Sequence, residues 1–284
     1  MRERVPRGAD RLAMVGFWAA ALLVATLFAW LVGDVLQHGF AHLSLDFLTA
    51  NPEDAGREGG IAPVIVSTLI IVAICMTVTV PLGLGTALLL AEFLPASSGQ
   101  GRFVRRSLDV LAGVPSVVFG LFGNALFCQR LGLGFSLLSG GLTLACMVLP
   151  YFTRTAEEGL RAVPQDYRTA AAALGLSRTG TIAHVLIPSA MPGLVAGFIL
   201  AVTRSLAETA ALIFTSGYVA RMPESLFESG RTLSVHIYDL AMNVSGGDGM
   251  AYSSALVLMV LLIVLNRSAM WVSRRWSMKR VVAS

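Results

Sequence analysis

The chain has 284 residues, of which 55% are hydrophobic and only 13% charged, with a mean hydropathy of +0.73. A soluble domain carries about 25% charged residues, so a large share of this surface faces lipid. That excludes a disordered chain, a nucleic-acid reader and a disulfide-stapled secreted domain. The formal charge is +4, and its meaning depends on where the charges lie. The three cysteines, Cys75, Cys128 and Cys146, sit in or beside apolar runs without a CxxC or Cys/His cluster, which argues against a metal site.

A helix needs roughly 20 apolar residues to cross the hydrocarbon core. Taken in chain order, the predicted spans are 12–33, 61–94, 107–128, 135–153 (shorter, ending at Pro150), 190–215 and 251–272. The run 61–94 would be roughly 51 Å long as one helix, too long to stand upright and short for a hairpin. The basic residues decide between them. Arg2, Arg4, Arg7 and Arg11, then Arg102, Arg105 and Arg106, then Arg154, Arg161, Arg168 and Arg178, then Arg267, Arg274, Arg275, Lys279 and Arg280 fall in alternate connections. Only Arg57, Arg130, Arg221 and Arg231 fall on the other side. The positive-inside rule then makes 61–94 a single crossing, tilted or kinked at Pro81. The expected protein is all-α, with six spans and both termini cytoplasmic. The apolar stretch near the N-terminus is too long for a signal peptide and reads as a retained anchor. Trp271 and Trp276 among basic residues read as an interfacial belt.

The chain divides into an anchor and external loop (1–60), a membrane core (61–272) holding an inner loop (156–188), and a tail (273–284). On the outside, 34–60 is acidic, and Leu233–Met242 is expected as a short helix on the membrane surface. His38 and His42 have helical metal-pair spacing but no third ligand nearby. The inner loop is the informative connection. Ala170–Ala173 is a run of four alanines that favours a helix, and Gly175 is placed to close it. Thr181–Ile187 can start a second helix, with Pro188 setting the angle into the fifth span. The result is a helix–turn–helix knuckle.

These residues carry a resemblance. The string from Thr169 through Gly175 to Val185-Leu186-Ile187-Pro188 resembles the EAA loop of ABC-importer permeases: Glu-Ala-Ala, three residues, Gly, nine residues, Ile-x-Leu-Pro. Ala170, Ala171, Gly175 and Pro188 match in register, and Thr169 stands where the glutamate is usual. Gly113-Val114-Pro115-Ser116-Val117-Val118-Phe119-Gly120-Leu121 resembles the third span of phosphate importer permeases. The string Arg204-Ser205-Leu206-Ala207-Glu208-Thr209-Ala210-Ala211-Leu212-Ile213-Phe214-Thr215 resembles their fifth. There the related pattern is Arg-Ala-Leu-Gly-Glu-Thr-Ala-Pro-Leu-Leu-Phe-Thr, with Ala207 and Ala211 departing. Leu233–Tyr238 is similar to the PstA type. The resemblance implies a MetI-like type I importer fold, and a non-catalytic permease subunit for inorganic phosphate. It implies a PstC-type second permease, two PstB-type ATP-binding subunits that bind ATP and Mg, and an external PstS-type phosphate-binding protein. It also implies that the 156–188 loop docks to the ATPase through Thr169, Ala170, Ala171, Gly175 and Pro188.

Independently of the resemblance, Arg204 and Glu208 are four apart in a predicted span. On one helix Arg204, Ser205, Glu208, Thr209, Thr215 and Ser216 share an arc of about 140°, with Arg204 roughly 22 Å from the inner end. Ionised groups at that depth face a bundle interior or a wet cavity. Arg204, Ser205, Glu208 and Thr209 are therefore the candidate lining of an anion path, with Glu208 partly neutralising Arg204. A salt bridge that only fixes packing is the alternative. The chain has no GxxxxGK[ST] loop, so energy from ATP has to come through a partner. A permease for molybdate or sulfate, a membrane-embedded enzyme and a structural scaffold are the competing readings.

Overall fold

The computed structural model describes residues 7–94 and 97–281. Arg2 and Arg4 lie outside the described residues, as do residues 282–284 and the side chains of Arg7, Arg11, Arg274, Arg275, Trp276, Lys279 and Arg280. The long helices are α1 (Arg7–Gly39), α3 (Ala62–Leu88), α6 (Leu137–Arg161), α9 (Ile187–Leu206) and α12 (Asp248–Val281). Among the described residues five helices are long and apolar enough to cross a membrane. A sixth crossing exists if the bent pair α4 (Gly99–Ala112) and α5 (Ser116–Gly123, continued to Arg130) counts as one. The fold is that of an all-α membrane protein. The run 62–93 is a single helix that passes through Pro81, as the arginine distribution requires.

Two expected spans are broken. The stretch 107–128 is interrupted at Gly113-Val114-Pro115, where α4 and α5 meet at 99°. A proline disfavours helical backbone in the residue before it and lacks an N–H, so the last α4-type bonds end at Val114 N to Leu111 O. The stretch 190–215 stops at Leu206, and after a turn through Ala207–Thr209 a one-turn helix, α10 (Ala210–Ile213), follows. By contrast α6 continues through Pro150 to Arg161, beyond the expected end at 153.

The core is formed by α3, α6 and α9, with Ile71, Leu144, Met147, Val148 and Leu206 buried between them. Lipid removes the hydrophobic drive for helices to associate, so close packing over small residues has to supply it. At Gly159 of α6 and Gly193 of α9 the backbones touch: a Cβ on Gly193 would lie 2.6 Å from the Gly159 Cα. The α1 helix stays on the outside of the bundle and is held to α12 by Tyr252 Oη donating to Asp34 (2.9 Å) and Ser253 Oγ donating to Gly39 O (2.9 Å).

The end of the bundle remote from the 165–186 connection is capped by α2 (Leu45–Thr49), a two-residue-strand hairpin (Pro52–Glu53 with Glu58–Gly59) and α11 (Leu233–Met242). The limits of α11 match the expected helix, but its position does not. Leu233, Val235, His236 and Leu240 are buried, and Leu233 N donates to Thr68 Oγ1 of α3 (2.9 Å). It plugs the bundle instead of lying on its surface, held there by that bond and by Ser234 Oγ donating to Glu208 O (2.6 Å).

His236 has no exposed surface, and its Nε2 has no hydrogen-bond partner. Burial and the neighbouring Arg231 push its pKa down to about 4, against a partial offset from Asp239. The folded protein therefore holds it neutral, whereas the unfolded chain protonates it near pH 6.5. Stability from this site is complete above about pH 6.5 and is lost as pH falls toward 4, by roughly 3 kcal/mol. Thermal unfolding in detergent should show that acid sensitivity, and His236→Phe should flatten it.

Candidate functional site

The two strings that carried the resemblance lie against each other. A Cβ on Gly120 of α5 would stand 2.9 Å from the Ala211 Cα and 3.0 Å from the Phe214 ring. Only glycine permits α10 to approach so closely. Asn124 Nδ2 donates to Phe214 O (2.7 Å), and Thr215 O accepts from Ser136 N (3.1 Å). The short helix α10 is thereby fixed between α5 and α6.

Arg204 occupies the last turn of α9 and is partly buried. Its guanidinium lies over the ring of Tyr151 from α6, 4.4 Å from the centroid. Its Nε is buried without a hydrogen-bond partner. The Tyr151 hydroxyl in turn donates to the carbonyl of Ala112, at the end of α4 beside the 99° break. A cation on an aromatic face is held without being neutralised, so the charge stays available.

The expected arc is not present, because α9 ends between Arg204 and Glu208. No ion pair joins the two among the described residues; Glu208 Oε1 instead accepts from Ala211 N (3.2 Å), at the start of α10. A proline at position 211 would have no N–H to give, so the alanine there permits this resting place of the carboxylate. Ser205 points into the chain's own core, 2% exposed, with its hydroxyl on Ala201 O (2.9 Å) and 3.4 Å from Cys75 Sγ. Thr209 stands half-buried at the N-cap of α10. Thr215 and Ser216 are buried, bonded to Ala211 O and Leu212 O. Of the expected lining, Arg204, Glu208 and Thr209 remain partly accessible, and Ser205 does not. Sequence reasoning missed Tyr151, since nothing local pairs it with a residue 53 positions on.

At the other end of the bundle the knuckle forms as expected. The first helix, α7 (Gln165–Ala173), ends in a Schellman motif, with Gly175 N bonded to Ala172 O and Leu176 N to Ala171 O (both 3.0 Å). Gly175 supplies the required φ of +70°. The second helix starts earlier than expected, at α8 (Arg178–Thr181), capped by Ser177 Oγ on Gly180 N (3.1 Å). It runs on through a π turn (Ile182–Leu186) into α9 without a break. Pro188 sets no separate angle: the π turn absorbs the hydrogen bond that proline cannot make. Thr169 and Ala170 are exposed, Ala171 is buried, and Leu174 is 81% exposed. The Thr169 hydroxyl is turned back to Gln165 O (3.3 Å). Tyr167, Ala170, Leu174 and Leu176 border an apolar hollow of about 340 Å³.

Behind the knuckle the arginines that suggested an inner face are used structurally. Buried Glu157 takes Arg105 Nε (2.8 Å), Arg161 Nε (3.0 Å) and Arg154 Nη1 (3.4 Å). Arg154 also binds Asp109 (2.6 Å). The i−3 and i+4 arginines around Glu157 were a legible signal that counting charges by side passed over. His38 is 3.1 Å from Asp34, and among the described residues no group of three His, Cys, Asp or Glu is arranged to hold a metal.

The profile described as "Binding-protein-dependent transport system inner membrane component" matches residues 80–278. The chain belongs to that family. It is 32% identical over 277 residues to the probable ABC transporter permease protein YqgI of Bacillus subtilis (strain 168), covering 92% of this chain and 94% of that one. It is 34% identical over 278 residues to the phosphate transport system permease protein PstA 1 of Mycobacterium tuberculosis (strain ATCC 25618 / H37Rv), covering 95% and 88%. Among solved structures it resembles a chain of a bacterial ABC transporter involved in the import of alginate, with a TM-score of 0.65 at 15% identity over 95% and 99% of the two chains. It also resembles a chain of the MetNI methionine ABC transporter, with a TM-score of 0.58 at 16% identity over 74% and 91%. The structures speak for the fold and the relatives for the family. This inner-membrane component is the permease subunit of an ABC importer.

Proposed function

We propose that this permease carries inorganic phosphate and forms half of the pathway with a PstC-type second permease. An external PstS-type protein delivers the anion. Two PstB-type subunits, holding ATP and Mg, dock on the knuckle, and both termini are cytoplasmic. The observation that carries the reading is Arg204: a cation at the end of α9 away from the knuckle, resting on Tyr151 with no carboxylate among the described residues within ion-pair distance. A buried charge is costly to leave uncompensated, and a passing oxyanion compensates it transiently. Glu208 and Thr209, one turn on, border the same break. The carboxylate there would keep the anion from settling too tightly. Relatives that are named phosphate permeases over most of their length support the choice of anion.

The exposed Leu174 at the tip of the knuckle, with Thr169 and Ala170 on α7, supports the docking role. With exposed Tyr167 and Leu176 it forms a contiguous apolar patch around one hollow, and such a patch marks a contact surface. The chain itself is non-catalytic in this reading. Vesicles holding the assembled complex and its binding protein test the anion directly. Labelled phosphate should accumulate with ATP inside and resist competition by equimolar molybdate or sulfate. Accumulation of molybdate or sulfate in place of phosphate would assign the permease to that oxyanion.

A further inference from the structure

The inner end of α3 closes not as an α-helix but as a π turn, Leu89–Phe93, sealed by Leu94 N on Leu89 O (2.9 Å). Position 95 is proline, with no N–H to offer the carbonyl of Leu90. That carbonyl is instead taken by Arg105 Nη2 from α4 (2.9 Å) and Arg161 Nη2 from α6 (2.8 Å). The next polar residue of the turn, Glu92, receives a two-pronged bond from Arg168 of α7 (2.6 and 3.2 Å). Phe93 lies under Arg178 at the start of α8, 5.7 Å from its ring centroid. Five residues thus gather one arginine from each of four elements, including both halves of the knuckle.

Arg168 reaches further. Its Nη1 donates to Val163 O (2.8 Å) and its Nη2 to Leu160 O (3.1 Å), which cap the end of α6. Helix α7 packs most closely on α8 and the π turn that follows it, so this one side chain ties it to both α3 and α6. A fork of charge-assisted hydrogen bonds fixes direction as well as distance. The fork therefore ties the orientation of α7 to the end of α3.

We propose that the π turn Leu89–Phe93 is the receiving end through which movement of the knuckle reaches the membrane helices, with Arg168 as the positioning residue on the moving side and Glu92 on the receiving side. The inference rests on the docking reading above, and two-site coupling of this kind has to be shown energetically rather than by adjacency. The test compares Glu92→Gln, Arg168→Ala and the exchange Glu92→Arg with Arg168→Glu, each in the assembled complex in proteoliposomes. The readouts are anion imported per ATP hydrolysed and the amount of ATP-binding subunit retained. Glu92→Gln and Arg168→Ala should retain the subunit yet import at least about fivefold less per ATP, a loss equivalent to the directional part of one charge-assisted bond. The exchange should recover at least about half of the normal ratio, as expected when the pair itself carries the coupling. An import-to-ATP ratio within about twofold of normal in Glu92→Gln would overturn the proposal. So would a fall in import that only tracks lost subunit. Should Arg168→Ala fail to assemble, Glu92→Gln, which keeps the side chain's shape, decides alone. Retention of the subunit by Leu174→Asp would count against the docking reading itself, separately from the π turn.

Discussion

Arg204→Gln should lower phosphate uptake by roughly 100-fold or more while the complex still assembles. Each charge-assisted hydrogen bond to the anion is worth about 1.5–3 kcal/mol, and about 1.4 kcal/mol is tenfold in rate. Among the described residues the guanidinium makes no ion pair and only the contact with the Tyr151 ring, so its loss should leave the fold around α9 in place. Arg204→Lys keeps the charge without the planar fork and should fall between the two. Tyr151 separates support from charge. Tyr151→Phe retains the ring under the guanidinium and loses only the bond to Ala112 O. Tyr151→Leu removes the cation–π contact, worth about 0.5–2 kcal/mol between an exposed and a desolvated site, and should cost about tenfold in uptake. Initial rates in vesicles measure all four variants. Undiminished phosphate import by Arg204→Gln would exclude Arg204 from the path.

The second large effect is expected at the knuckle. Leu174→Asp should abolish co-purification of the ATP-binding subunit. It would set an uncompensated carboxylate in an apolar contact, a cost of several kcal/mol, and 1.4 kcal/mol is tenfold in affinity. Gly175→Val should act through the backbone instead. Its φ of +70° is left-handed, and a side chain there costs about 1–2 kcal/mol, opening the turn that orients α7 and α8. Thermal unfolding of the isolated permease distinguishes the two. Leu174→Asp should leave it unchanged because the residue is 81% exposed. A complex that keeps its ATP-binding subunit in both variants would move the docking surface elsewhere.

Much of the knuckle was legible because its determinants are local. Four alanines and a glycine at the C′ position act over a few residues, and the structure places them with the expected roles, whereas the Ser177 cap that starts the second helix early was not read. The single crossing of 62–93 was legible from the spacing of arginines around it. The candidate path was only partly legible. Reading 190–215 as one helix put Arg204 and Glu208 on one face, and the helix ends between them. No strong breaker stands at Ala207–Thr209. The turn forms because α10 is drawn away to pack on Gly120, Asn124 and Ser136.

The sequence by itself determined the apolar helices, their order and the knuckle, because composition and capping over 5–30 residues suffice for these. Even the small positive charge was readable as an alternation of arginine-rich and arginine-poor connections. What those arginines do was decided by the tertiary structure. Where a helix ends early, widens into a π turn or is broken by proline, its freed carbonyls need donors, and in lipid no water supplies them. Arg105 and Arg161 meet Leu90 O, Tyr151 meets Ala112 O, and Asn124 meets Phe214 O. These partners lie 15 to 90 residues apart in the chain, so only the packed bundle brings them together.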